Sequence, residues 1–225
     1  MFLTLSGVLD AGQLATATEL AATLRWVGGA ATAGPAARAV KHNEQADLSS
    51  RTGAKLRDML DEAIRAHPVL AAAAQPRRFS PLLVSRTQDG GTYGLHVDNP
   101  FMGTGEARLR TDLSFTLFLS EPDSYEGGEL EINHAGNTHH AKAPAGDLVL
   151  YPSTSLHQVR PVTAGQRIVC VGWIESSIRD AAAREILFDL ENLRATLGQT
   201  HDVRSPEYLT LSKSIANLMR LWGEA

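Results

Sequence analysis

The chain has almost no cysteine. Cys170 is the only one in 225 residues, so neither an intrachain disulfide nor a thiolate zinc cluster can be built. Inside the apolar run RIVCVGW it reads as a small core residue rather than a reactive thiol. An excess of positive charge is missing too. The 21 Lys and Arg stand against 25 Asp and Glu without a basic block, which argues against nucleic acid as the main partner. No apolar run approaches the roughly 20 residues of a membrane span. The opening MFLTLSGVLD lacks the basic start, the long apolar stretch and the small-residue cleavage pattern of a signal peptide. The expectation is a cytoplasmic protein without membrane contact, and no repeat or low-complexity linker interrupts it.

What is present is enough for one sizeable domain with a small appendage. The N-terminal quarter reads as helical. Asp10 can cap a helix running to about Trp26, with Leu14, Leu20 and Leu24 among its apolar positions, before VGGA and AGPAA break the pattern. A second helix fits residues 45–66, where Leu56, Leu60 and Ile64 form one stripe. From about Pro81 to Glu175 the pattern changes to short β-rich segments: PLLVSR, TYGLHVD, DLSFTLFLS, ELEIN, THHAKA, DLVLYP, HQVRPV and RIVCVGWIES. EGG, HAGN, PAGD and TAGQ supply turns whose Gly tolerates positive φ. About eight short strands separated in this way suggest a double-sheet jelly roll, a mainly β fold with flanking helices.

After Ser176 the helical period returns. Ile186, Leu190, Leu193 and Leu197 fall on one face, with Gly198 as a C-terminal stop. A last helix over 206–222 carries Leu211, Ile215, Leu218 and Trp222, and Pro206 suits its first turn. The expected division is 1–176 for the β domain with its N-terminal helices and 177–225 for a C-terminal helical appendage. Such a terminal pair packs on its own barrel or joins a second subunit as a homodimer.

The chemistry starts from YGLHVDNP. In a strand, residues i and i+2 project from one face, so His96 and Asp98 point into a common space. Among the other histidines, His157 opens a late strand that a jelly roll can set beside an early one. His134, His139 and His140 cluster on a hairpin and read as exposed, and His42, His67 and His201 fall in helical or connecting segments. Two imidazoles and one carboxylate form the facial triad typical of non-haem Fe(II) oxygenases, which leaves adjacent positions open for other ligands. Arg167, just after the VTAG turn, offers a planar fork for a carboxylate.

Each of these residues also has an ordinary structural role open to it. Asp98 is a turn residue in DNP, Arg167 pairs with Glu175 or Glu131, Trp173 is core, and the Gly-rich stretch 99–106 is a flap or an ordinary loop.

HVD at 96–98, LFLSEPDSYEGGEL at 117–130, AGDLVLYPSTSLH at 145–157 and SLHQVRPVTAGQR at 155–167 occur in order, and together they resemble the Fe(II)- and 2-oxoglutarate-dependent dioxygenases. Among these the chain most resembles the bacterial PKHD-type hydroxylases, relatives of the prolyl 4-hydroxylases often described as iron-uptake factors. The resemblance spans roughly residues 75–195. It implies a double-stranded β-helix, with His96, Asp98 and His157 as iron ligands and Arg167 on the distal carboxylate of 2-oxoglutarate. It implies O2 as cosubstrate and L-ascorbate as an accessory ligand, with hydroxylation of an unidentified small molecule or peptide and release of succinate and CO2. The carboxylate at Asp98 favours hydroxylation over the chemistry of the related halogenases, which leave that position vacant. Thr87 stands where such enzymes often carry a Tyr, with Tyr93 or Tyr151 as substitutes. The competing readings are a cupin-like metalloprotein that does not use 2-oxoglutarate and a non-catalytic iron-binding or iron-sensing module.

Overall fold

The computed structural model describes residues 1–32 and 38–224, and the AGPAA break expected at 33–37 lies outside them. Among the described residues all strand pairings within the named sheets are antiparallel. The larger sheet runs in the order β1 (Leu3–Leu5), β14 (Leu148–Pro152), β10 (Leu113–Phe118), β17 (Arg167–Ser176), β6 (Leu83–Thr87), β4 (Glu44–Ala46) and β2 (Trp26–Gly28). A further strand, β5 (Pro76–Phe79), pairs with the end of β17. The smaller sheet runs β13 (Asn137–Ala141), β12 (Leu130–His134), β15 (Leu156–Val159), β7 (Thr92–His96) and β3 (Lys41–His42). Two ribbons complete the set: β11 (Tyr125–Gly127) with β16 (Val162–Gly165), and β8 (Phe101–Met102) with β9 (Leu109–Arg110).

The residues explain the two-layer packing. β10 reads LSFTLF and is buried throughout, so it sits at the centre of the larger sheet. Its Leu113, Phe115 and Leu117 join Ile168, Cys170 and Ile174 of β17 on the outer face, packed under the helices α1 (Ala11–Ala22), α2 (Arg51–Ala66) and α3 (Pro68–Ala74). Leu56, Leu60 and Ile64 are the α2 residues in that layer, as their spacing predicts. On the inner face Phe118, Val149, Tyr151 and Val169 meet Leu130 and Ile132 of the smaller sheet, forming a second core between the sheets. Gly136, at φ +83°, turns β12 into β13 in the expected HAGN hairpin.

Several expectations fail locally. The first helix keeps its Asp10 cap, a reciprocal capping box with Gln13, but it ends at Ala22. Trp26 is instead a strand residue, held by pairing with Ala46 and by the Arg86 guanidinium 4.4 Å above its ring. The second helix starts at Arg51 rather than near 45, because Ser50 caps it and residues 44–46 are taken by the sheet. Helical periodicity does not register long-range strand pairing, which decided both boundaries.

Helix α4 (Ala181–Thr200) runs through Gly198 to a cap at His201. A Cβ at Gly198 would lie 3.3 Å from the Tyr208 ring, so this glycine permits close helix approach instead of stopping the helix. Its buried stripe is Ala183 and Leu187, with Leu190 packed beside them, while Ile186 and Leu193 of the expected stripe are exposed. Helix α5 (Pro206–Trp222) has the predicted bounds and presents Leu211, Ile215, Leu218 and Trp222 to α4. The chain then returns to the barrel: Glu224 N–H donates to Ser177 O at 2.7 Å and Glu224 Oε2 pairs with Arg110 at 2.9 Å. No helix among the described residues is long and apolar enough to cross a membrane.

Candidate active site

The register of the smaller sheet brings two of the singled-out histidines together. His157 on β15 is the direct cross-strand partner of His96 on β7, although about sixty residues separate them in the chain, and their ring centroids lie 4.2 Å apart. β7 ends at His96, so Asp98 lies just beyond the ladder yet still turns to the same side. One donor atom from each of His96, Asp98 and His157 falls within 4.8 Å of the others, the only such His, Cys, Asp and Glu cluster among the described residues. His157 Nε2 stands 3.7 Å from Asp98 Oδ2.

Local hydrogen bonds aim each group. His96 Nδ1 lies 2.8 Å from Gly94 O and His157 Nδ1 lies 3.0 Å from Ser155 O. A carbonyl can only accept, so both Nδ1 atoms carry the proton and both Nε2 lone pairs face the cluster. Gly94 is required at its place because a Cβ would collide with Val40. Asp98 Oδ2 accepts from Ser114 Oγ at 2.6 Å, and Ser114 Oγ is 2.7 Å from Ser153 Oγ. The backbone beside Asp98 is tied by Thr111 Oγ1, which donates to Asn99 O at 2.5 Å. Burial and the neighbouring His157 push His96 down to about 4, so the imidazole is neutral and suited to a metal. Tyr93 stacks on His96 with centroids 3.6 Å apart and is pushed up to about 12 by burial and by Asp98.

These groups open into a cavity of about 90 Å³ between the sheets, lined also by Lys41, Thr87, Tyr151, Arg167 and Trp173. Arg167 is 2% exposed. Its Nε and Nη2 have no hydrogen-bond partner among the described residues. Glu175 is bound by Arg77 and Arg78, and Glu131 by His140 and Arg160, so the ion pair considered for Arg167 is not formed with either. Burial pushes its pKa down, opposed by Tyr125 and Tyr151. The EGG turn shapes this end. Gly128, at φ +70°, leaves room where a Cβ would meet the Arg167 side chain at 3.0 Å. Lys41, on β3, is pushed down to about 8 by burial, with Asp98 acting the other way.

Trp173 lines the cavity and is half-buried, so the core assignment is corrected: on β17 the residues Arg167, Val169, Val171 and Trp173 alternate onto the inner face. Thr87 is the register partner of Arg167, while Tyr93 sits on His96 and Tyr151 stands 5.2 Å from the His157 ring. His139 stacks on Phe2, His140 is exposed beside Glu131, and His134 Nδ1 meets Ser155 Oγ at 3.3 Å. Residues 99–106 contain β8 and begin a ribbon closed by β9, with Met102 reaching the cavity. Ser114, Ser153, Lys41 and Tyr125 were not singled out from the sequence. The sole local signal among them is the Tyr125 position directly before EGG.

Three comparisons bear on what this cavity serves. The family model of the 2OG-Fe(II) oxygenase superfamily matches residues 82–175. A PKHD-type hydroxylase of Hyphomonas neptunium is 58% identical over 210 residues, covering 92% of this chain and 94% of the relative. A PKHD-type hydroxylase of Synechococcus elongatus is 46% identical over 224 residues, covering 100% of both. In fold, the chain is similar to the crystal structure of an oxidoreductase of the 2OG-Fe(II) oxygenase family from Burkholderia pseudomallei, with a TM-score of 0.57 at 16% identity, over 77% of this chain and 84% of that one.

Proposed function

The chain belongs to the PKHD-type hydroxylases of the 2OG-Fe(II) oxygenase superfamily, and from that premise we propose that His96, Asp98 and His157 hold its Fe(II) while Arg167 holds 2-oxoglutarate. It is a jelly-roll, Fe(II)- and 2-oxoglutarate-dependent dioxygenase. The observation that carries the residue assignment is the complementarity of the two cavity ends. One donor atom from each of His96, Asp98 and His157 lies within 4.8 Å of the others, and each side chain is aimed by a hydrogen bond of its own. At the other end a buried guanidinium has two donor nitrogens unmatched, the geometry a carboxylate completes.

When bound, Fe(II) with 2-oxoglutarate and O2 supplies the oxidation that places a hydroxyl on a substrate carbon and releases succinate and CO2. The chain's own part is binding, orientation and exclusion of water. The Nδ1 bonds hold both imidazoles in the ligating tautomer. Arg167 supplies the positive charge and the fork that orient the cosubstrate's far carboxylate, with Phe118 stacked 5.3 Å from its Cζ and closing the apolar side. Trp173, Met102 and Val171 line the space left for the substrate and limit water there. Arg167 also favours this reading over a cupin-like or purely iron-binding one, since neither needs a buried carboxylate clamp.

The reading extends to L-ascorbate as an accessory ligand, to a cytoplasmic location and to a division at residue 176, with 177–225 as an appendage; all rest on the resemblance and the sequence pattern. A homodimer would use Ile186, Leu193 and Leu221, which the terminal helices leave exposed.

The assignment is tested by anaerobic calorimetry. Wild type binds Fe(II), His157→Ala does not, and Arg167→Ala binds Fe(II) but takes up 2-oxoglutarate at least tenfold more weakly, about 1.4 kcal/mol. Unchanged 2-oxoglutarate affinity in Arg167→Ala contradicts it.

A further inference from the structure

Asp98 differs from its two partners in how it is held. Each histidine is aimed by a backbone carbonyl of its own segment, two residues away. Asp98 lies past the end of β7, and the hydrogen bond that orients its carboxylate comes from the opposite sheet, from Ser114 on β10 at 2.6 Å. Ser114 and Ser153 are both almost fully buried, at 2% and 3% exposure.

The proton direction follows from chemistry. A neutral hydroxyl has one proton, and an ionised carboxylate only accepts. Ser114 therefore donates to Asp98 Oδ2, and the 2.7 Å contact with Ser153 must be one in which Ser153 donates to Ser114. The Ser153 backbone is itself fixed, its N–H donating to Asp112 O at 3.2 Å. Two hydroxyls in series polarise each other toward the carboxylate, which strengthens the terminal bond. A short O–H···O⁻ bond of this kind is charge-assisted and directional, so it fixes the rotation of the carboxylate about its own axis.

We propose that Ser114, backed by Ser153, is a positioning residue that makes Asp98 a one-oxygen ligand and so keeps the coordination positions needed by 2-oxoglutarate and O2 open. This rests on the Fe(II) assignment above. A carboxylate free to rotate can chelate through both oxygens and occupy a second position, and Ser114 opposes that rotation. Ser153 acts through Ser114, so its removal produces the same change in smaller measure.

The experiment uses the full chain with Co(II) in place of Fe(II), followed by anaerobic visible absorption and direct titration. The d–d band intensity of Co(II) reports coordination number independently of turnover. Wild type gives one spectrum, lost in His157→Ala. Ser114→Ala lowers Co(II) affinity by about 10–100-fold, the usual cost of an outer-shell partner, and changes the band intensity. Ser114→Thr, which keeps a hydroxyl, restores the wild-type spectrum, and Ser153→Ala shifts it partway. A Ser114→Ala protein that melts normally and retains both the wild-type affinity and spectrum overturns the proposal. Should Ser114→Ala not fold, an unchanged spectrum in Ser153→Ala overturns it instead. Failure of wild type to bind Co(II) at all refutes the underlying metal assignment, a result distinct from either.

Discussion

At the His96, Asp98 and His157 end of the cavity each side chain is aimed by a hydrogen bond within the protein, the imidazoles by Gly94 O and Ser155 O and the Asp98 carboxylate by Ser114 Oγ on its Oδ2. At the Arg167 end, a guanidinium just as deeply buried keeps Nε and Nη2 unmatched among the described residues. One end is aimed by the protein's own hydrogen bonds, and the other has donors that an anion would complete. The difference is physical: neutral imidazoles can be aimed by backbone carbonyls at little cost, whereas a buried cation is costly until a counter-charge meets it. Much of the gain from 2-oxoglutarate should therefore come from relief of a charge the fold already carries.

Breaking the metal end has the largest effect. His157→Ala should abolish Fe(II) binding, a loss beyond the roughly 10–100-fold of an outer-shell change, measured by anaerobic titration. At the other end, Arg167→Met should separate binding from stability. It should weaken 2-oxoglutarate by about 2–5 kcal/mol while the ligand-free protein becomes more stable by roughly 1–4 kcal/mol, seen as a raised Tm in thermal melts. A lowered Tm would remove the contrast between the two ends.

Gly128→Ala sharpens the comparison further, because it touches Arg167 without removing its charge. With φ +70° and a Cβ set against the Arg167 side chain, the substitution should cost about 1–3 kcal/mol of stability and weaken 2-oxoglutarate, leaving Fe(II) affinity as in wild type. A pH series probes the metal end alone. His96 sits at about 4, below the usual 6.5, so the unfolded chain takes up a proton there before the folded one does. Its contribution to the stability of the metal-free protein is present above pH 6.5 and falls away as the pH drops toward 4, which melts across that window would show. The smallest effect is expected outside the cavity: His140→Ala, exposed beside Glu131, should stay within about 0.5 kcal/mol of wild type and bind both ligands normally.

The features that the sequence made legible are those encoded locally. Strand and turn alternation located β17 at its observed bounds and placed His96 with Asp98, and a two-sheet architecture was enough to bring in His157. The Asp10 cap located the start of α1, and Pro206 with the helical period of Leu211, Ile215, Leu218 and Trp222 located the whole of α5. What stayed hidden depends on pairing across the fold. Trp26 looked like the end of a helix until Ala46 claimed it for the sheet. Ile186 and Leu193 share the 3.6-residue period with Leu190, yet the position of α5 selects the neighbouring stripe through Leu187. Ser114 lies in an apolar strand of the opposite sheet, and nothing in LSFTLF announces that its hydroxyl will meet Asp98. Trp173 reads as core because alternation alone does not say which side of β17 holds a cavity.

The most direct test of the account is the visible absorption of the anaerobic protein with Fe(II), before and after 2-oxoglutarate, in wild type, His157→Ala and Arg167→Ala. A charge-transfer band should form only with the cosubstrate, be absent in His157→Ala, and require far more 2-oxoglutarate in Arg167→Ala. A wild-type protein that binds Fe(II) but never develops the band, or an Arg167→Ala protein that develops it at the wild-type concentration, would contradict the assignment of the two ends.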